Sequence, residues 1–467
     1  MLGLSLDDEC VELDYVLNDS PSVLGLSTDA TLHLIHSELS SRSLTMPNRV
    51  EWWDTLAHLP EPELDISKEP FCDVAYVEYA WSHAGELRPI SVSHQAILNQ
   101  QLGIRMTTGV KHTDTLFTHM DMRGIGFAFF LIALYNGSTL IVGAGPALMD
   151  VGSLWLRLLV EFGVTATLLT PSCVRRLSVH TTAGAVGPPS VEELQRIRTI
   201  FVADDCLHPS VLLHTKAKLG PFFGESVVTS IVRPVCCAPD FGGFVLAIRG
   251  AEETESIGEL LLDRSSLMSG QVVLVDGEFK LSGMQTGAVP VSSVSFPLPF
   301  VSVAILDHLS NNSTLALPNT WGEVCIASPA TQGMTCSQFR TVTIGPDVFF
   351  KTGLLGTLID GQALAVFGRI EDLDCCGPAQ SNVTSTVTSL IKGVSAALFF
   401  NAQLPHSTVR HPVLVLETSR QGAELPSVTT NALTICTDLA GISCYAVICF
   451  APGSLPPRSW ATRAVAR

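Results

Sequence analysis

Apolar and polar positions change rhythm twice along this chain of 467 residues. Between about 74 and 240, short continuous apolar runs alternate with stretches of helical period. The pattern predicts a strand over 74–79, a loop over 80–89 and a helix over 93–102. Helices over 124–135, 154–162, 191–196 and 209–218 then lead into strands over 139–142, 166–170, 199–203 and 227–232. Strands that are apolar throughout, separated by helices of about ten residues, belong to a largely parallel sheet covered on both faces. From 241 the runs are short and bounded by Gly, Pro, Asn and Asp: 244–248, 258–262, 271–275, 302–306, 322–327, 349–352, 357–359 and 363–367. A distorted antiparallel barrel is expected there. The third rhythm begins near 370, with a helix over 383–392, strands over 394–401 and 413–417, a helix over 427–440 and a strand over 446–450. The prediction is an α/β architecture with a β-barrel subdomain and a small α+β C-terminal subdomain. A large domain covers 1–369, with its sheets to about 240 and the β-rich part over about 241–369. A small unit follows over 370–467.

Upstream, 16–26 suggests a helix end and a strand, 28–37 a short helix, and 60–73 a surface loop. The pattern begins inside a fold, as a truncated gene product or one module of a longer multi-domain parent would. Composition supports a large core: 46% of residues are hydrophobic and 15% charged, which excludes global disorder. The formal charge of −17, from 27 basic and 44 acidic residues, opposes nonspecific nucleic-acid binding. Asp7, Asp8 and Glu9 are out of place in a secretory leader. The apolar stretch 124–134 is short of the ~20 residues that span a bilayer. The 13 scattered Cys read as reduced core thiols, so a cytoplasmic location is expected.

Several segments carry possible chemistry. Glu78 to Pro89 leaves a strand with a permissive Gly85 and a cation, Arg88; it reads as a phosphate loop or as an ordinary surface turn. Gly143-Ala144-Gly145 opens a GxGxxG, but Leu148 stands for the third Gly, so a dinucleotide site is disfavoured. His119 with Asp121 and Arg123 precedes the apolar stretch and reads as a substrate pocket or a structural histidine. Asp204-Asp205 suits a metal or, preferably, a cap on the next helix. Phe349-Phe350-Lys351-Thr352-Gly353-Leu354 reads as a strand and tight turn, and Gly368-Arg369 ends a second strand. No GxSxG or HExxH is present.

The order of these segments resembles the adenylate-forming (AMP-binding, acyl-CoA synthetase-like) superfamily. It looks closest to the fatty-acyl-AMP-ligase-like modules of the disco-interacting protein 2 family and fungal relatives. Without gaps, Tyr79 falls on the Tyr of the family's phosphate loop, Ser82 on a Gly, Gly85 on the middle Gly, Arg88 on the Lys and His94 on the trailing His. The segment 119–126 with Leu134-Tyr135-Asn136-Gly137 is similar to the acyl-pocket motif, Gly322-Glu323-Val324 to a Gly-Glu strand, and 349–356 to Tyr-Arg-Thr-Gly-Asp-Leu-Gly. Leu455-Pro456-Pro457 to Arg463 sits where the terminal Gly-Lys segment belongs.

The resemblance implies a ligase that uses ATP and Mg²⁺ to convert a carboxylic acid, here a fatty acid, to acyl-AMP; coenzyme A is the weaker expectation. Its small C-terminal subdomain would be mobile. Arg88, Tyr79, Ser82 and Gly85 would hold phosphates. Thr352, Gly353 and Asp360 would shape the ribose and hinge region, and Arg369 would reach ribose or phosphate. His119 would sit by the acyl carboxylate, Arg463 would enter on closure, and Asp240 would be the metal acid. Three departures stand out. Leu354 replaces an Asp and cannot accept from ribose hydroxyls. Arg463 replaces a Lys. Arg233 to Phe241 lacks the Glu of the family's adenine and Mg²⁺ motif. They support a second expectation, an inactive pseudo-ligase that binds a lipid, nucleotide or protein partner.

Overall fold

The computed structural model describes most of residues 15–454. Segments 42–49, 55–71, 82–86, 121–123, 144–147, 178–188, 239–240, 251–259, 277–286, 308–313, 374–382 and 404–409, and some of one to four residues, lie outside the described residues, as do 1–14 and 455–467. Strands β1 (Leu24–Ser27) and β2 (Glu51–Asp54) pair in parallel and are connected through helix α1 (Asp29–Ser41). Next come β3 (Val74–Trp81) and β4 (Leu87–Ser93), an antiparallel hairpin. The loop expected over 80–89 is therefore strand at both ends, with Ala80 opposite Arg88 and Trp81 opposite Leu87. Leu87, Ile90 and Val92 are the buried side chains that anchor β4; the polar Arg88 and Pro89 obscure them in the sequence. Ser93 caps α2 (His94–Thr108) by accepting from the Ala96 amide at 3.0 Å.

The central sheet contains β5 (Thr115–Thr118), β6 (Thr139–Val142), β7 (Ala166–Leu169), β8 (Thr199–Asp204), β9 (Val232–Ala238) and β10 (Phe244–Ile248). The order is β14-β10-β9-β8-β7-β5-β6, with Phe296–Pro297 as β14. β6 to β9 are parallel; β10 and β14 extend the sheet antiparallel. Along β8, Ile200 and Val202 face α4 (Gly152–Glu161) and α6 (Pro209–Phe223), while Phe201 and Ala203 face α2 and α3 (Ile125–Asn136). Both faces are thus covered, which explains why these strands are apolar throughout. The short α5 (Pro171–Arg176) follows β7, capped by Thr170.

The strand expected over 227–232 is a correction. Gly224, at φ 84, separates α6 from a second helix, α7 (Glu225–Ile231). Val228 and Ile231, three residues apart, bury one face of α7. The strand starts at Val232 and stays buried to Ala238, so most of the stretch compared with the adenine and Mg²⁺ motif is strand. β-branched residues carry a strand signal even where their spacing is helical.

The β-rich part forms two antiparallel sheets. One is β12 (Leu274–Val275), β11 (Leu260–Asp263) and β13 (Ala288–Val291). The other runs β15 (Ser302–Leu306), β16 (Gly322–Ala327), β19 (Asp347–Ile359), β18 (Thr341–Ile344), with β20 (Ala363–Arg369) also on β19. β17 (Met334–Thr335) extends the β3–β4 hairpin. The tight turn expected after Thr352 is absent: β19 is one strand of 13 residues. Lys351 pairs with Cys325 and Leu355 with Glu323, so Thr352, Gly353 and Leu354 together oppose Val324 in a bulge. Gly353 takes the φ of 73 that this requires. The turn lies further on, at Asp360 (φ 50) and Gly361 (φ 72).

The C-terminal unit contains β21 (Val394–Gln403) antiparallel to β22 (Arg410–Thr418), helix α8 (Leu425–Ala440), and β23 (Ala446–Phe450) parallel to β22. This α+β unit agrees with the expectation. Its Phe399, Leu414, Leu416 and Ala432 share one continuous buried cluster with Leu262, Leu355, Ala365 and Phe367 of the β-rich sheets.

Candidate active site

In an open parallel sheet the ligand crevice lies outside the carboxyl ends of the strands. Here those ends place side by side His119 after β5, Gly143 after β6, Thr170 after β7, and Asp204-Asp205 at the end of β8. Gly143 is packed closely: a Cβ there would come 2.8 Å from the Phe117 ring and 3.4 Å from His119. Its amide donates to Thr118 at 2.7 Å. Close packing beside His119 is what this glycine does.

His119 is 1% exposed, and its Nε2 lies 3.0 Å from Cys173 Sγ. The Thr170 hydroxyl donates to the same sulfur at 3.1 Å, and Met120 Sδ is 3.8 Å away. His119 Nδ1 has no partner among the described residues. Burial lowers its pKa to about 4, so the imidazole is neutral at physiological pH. A neutral imidazole donates one hydrogen bond and accepts another.

A second group of contacts ties three chain segments together. Glu78, on β3 and largely buried, accepts from the Gly124 amide just before α3. A Cβ on Gly242 would lie 2.9 Å from Glu78 Oε2, and one on Gly243 would lie 2.2 Å from the Gly124 carbonyl carbon. The hairpin, the start of α3 and the turn after β9 therefore meet at one carboxylate. Sequence reasoning missed Glu78; the available signal was a lone acid inside a strand of apolar and aromatic residues.

The third group joins the two layers. Arg369, at the end of β20, forms an ion pair with Asp205, which is 3% exposed. Asp205 Oδ1 accepts from the Cys206 amide at 2.8 Å, and the Cys236 thiol donates to the Asp205 carbonyl at 3.4 Å. Asp205 is thus not a helix cap, since α6 starts only at Pro209, and among the described residues it belongs to no group that could hold a metal ion. Burial, and then the charge of Asp205, push the Cys236 thiol well up, so it stays protonated. Leu354, 1% exposed, lies directly opposite Arg369 in the β19–β20 ladder. The Thr352 hydroxyl donates to the Val324 carbonyl at 2.7 Å and accepts from the Leu354 amide at 3.1 Å, closing the bulge. Glu323 accepts from Arg340 at 3.3 Å and Lys351 at 3.2 Å.

The other expected site residues fall as follows. The Tyr79 hydroxyl donates to Asp19 at 2.6 Å; burial and then that bond raise its pKa. Arg88 is half-buried on β4 rather than in a loop. Asp360 is exposed in the β19–β20 turn. Ser82, Gly85, Asp240 and Arg463 lie outside the described residues. Among the described residues no group of three or more His, Cys, Asp or Glu could hold a metal ion, and no helix is long and apolar enough to cross a membrane.

No protein-family model matches the chain. An uncharacterized protein of Schizosaccharomyces pombe is 26% identical over 439 residues, covering 78% of this chain and 28% of that protein. Disco-interacting protein 2 homolog A of Mus musculus is 24% identical over 408 residues, covering 81% of this chain and 26% of its own length. The chain thus spans about a quarter of the curated relatives it matches. Among solved structures, fatty acyl-adenylate ligases from E. coli and L. pneumophila superpose with a TM-score of 0.75 at 14% identity, over 100% of this chain and 83% of that one. The L. pneumophila fatty acyl-adenylate ligase in complex with acyl adenylate and pyrophosphate gives 0.62, also at 14% identity, over 99% and 80%. The chain has the fold of the adenylate-forming ligases, and its relatives in sequence are disco-interacting protein 2 proteins and a fission-yeast protein.

Proposed function

We propose that the chain is an acid–AMP ligase-like module that takes ATP and a fatty carboxylic acid. The reaction is attack of a carboxylate oxygen on the α-phosphorus, with pyrophosphate leaving. The protein's part is positioning and charge stabilisation. One observation carries the reading: Arg369 of the β-rich layer is drawn by Asp205 to the carboxyl edge of the parallel sheet, where ligands of such sheets bind. His119 lies along the same edge, ahead of the apolar α3, and suits the acyl end. Arg88 serves as phosphate cation, Mg²⁺ would neutralise charge on the nucleotide's phosphates, and Arg463 would enter when residues 370–467 close over the site. The arrangement of a large domain over 1–369 and a moving cap is part of this proposal. So is a cytoplasmic role within a longer protein.

A second reading is favoured by a specific observation. Leu354 offers no acceptor, and the Thr352 hydroxyl is engaged by backbone on both sides. A module built this way binds a nucleotide or acyl ligand without turnover. ATP–pyrophosphate exchange with a panel of fatty acids, measured beside ATP-induced thermal shift, separates the two. Exchange identifies a ligase, and a shift without exchange identifies a binder. If neither appears, both readings fail.

A further inference from the structure

The carboxyl edge carries an acid and a cation from opposite layers, and their placement has a consequence for how the site is held. Arg369 stands at the last position of β20. Its ladder neighbour is Leu354, which presents only a buried alkyl group. An acidic partner comes from Asp205, just after the end of β8, across the interface between the layers. The acid is itself fixed: its second oxygen accepts from the Cys206 amide, and its carbonyl accepts from the Cys236 thiol. The Cys206 thiol reaches the Val366 carbonyl of β20 at 3.8 Å, a second link between the same two elements. A guanidinium gripped by a 3%-exposed carboxylate keeps one orientation, because either charge left alone there is strongly disfavoured.

We propose that Asp205 is the positioning residue of the candidate nucleotide site: it fixes Arg369 at the mouth of the cleft, a task that the β19 position of Leu354 is geometrically able to carry and does not. The proposal rests on the nucleotide-binding reading given above. Asp205 touches no substrate in this scheme; it acts through Arg369.

The test uses the full chain in six forms: wild type, Asp205→Asn, Asp205→Glu, Arg369→Lys, Asp205→Asn combined with Leu354→Asp, and that double variant with Arg369→Lys added. Equilibrium binding of Mg·ATP and of AMP is measured alongside the melting temperature without ligand. Asp205→Asn is expected to weaken both nucleotides about tenfold or more, since it leaves a half-buried guanidinium without its acid. Asp205→Glu retains most of the affinity. Placing an acid opposite Arg369 in the double variant restores binding towards wild type. Because an acid there can also accept from a ribose hydroxyl, the rescue counts for the proposal only if adding Arg369→Lys to the double variant abolishes it, and against it otherwise. Wild-type affinity in Asp205→Asn overturns the proposal, as does a folded double variant that recovers nothing. Should the double variant not fold, the Asn–Glu comparison decides: equal losses in both overturn it. A wild-type chain that binds no nucleotide fails the reading beneath the proposal. In that case the pairing is judged from melting temperatures alone: a loss in Asp205→Asn that Asp205→Glu does not share upholds it, and equal values overturn it.

Discussion

His119 illustrates how burial alone sets the chemistry of a residue. No charged partner is needed to lower its pKa from 6.5 to about 4; removal from water does so. The folded protein thus binds that proton less well than the unfolded chain. Stability from this group is complete above about pH 6.5 and is lost as pH falls towards 4, by about 3 kcal/mol in all. His119→Gln is expected to flatten that part of the stability–pH curve. Urea midpoints of the two proteins at pH 7 and pH 4.5 check it; parallel declines would remove the effect from His119. The residue was legible in sequence as a pocket candidate, but its sulfur partner was not, because Cys173 follows 54 positions later on another element. Glu78 and Asp205 were hidden for the same reason. Their partners are Gly124 and Arg369, and only the folded chain brings them within reach.

The bulge in β19 belongs to the scale of the element. Three residues face one, and the Thr352 hydroxyl bonds on both sides of the irregularity. Thr352→Val keeps the shape and removes both bonds, leaving a buried carbonyl and amide unserved. A loss of about 1–3 kcal/mol follows. It would appear as a lower urea midpoint at unchanged slope, and an unchanged midpoint would show the bulge to be held by packing alone. Elements were read well where a strand is almost wholly apolar and buried: β7 and β8 were expected at 166–170 and 199–203, whereas β5, four residues with Thr at both ends, was missed. Reading failed where two signals compete. Gly353 looks like a turn, yet its positive φ serves a bulge inside a continuous strand. Val227 to Val232 looks like a strand, yet Gly224 restarts a helix just before it.

For the molecule as a whole, the division at about 370 seen in the sequence is a change of architecture but not a break in the core. Val383, Val387, Phe399 and Leu414 pack with Leu262 and Phe367 in one cluster. Leu414→Ala is therefore expected to lower the stability of the β-rich sheets along with the C-terminal unit, by about 2–5 kcal/mol. Hydrogen exchange at β11 and β20 amides, read beside that at β22, checks this; loss of protection in β22 alone would show the two parts to be energetically separate. The order of motifs along the chain pointed to the fold that the chain shares with solved fatty acyl-adenylate ligases. The pairing across layers stayed hidden, because it depends on which strand ends the fold sets face to face.

The shared interior also bears on temperature. Turning residues 394–450 away from β11 and β20 would wet Phe399, Leu414 and Phe367 together. Newly wetted hydrocarbon raises heat capacity. Open and closed forms of the molecule would then differ in heat capacity, and the balance between them would bend with warming instead of following a straight van't Hoff line.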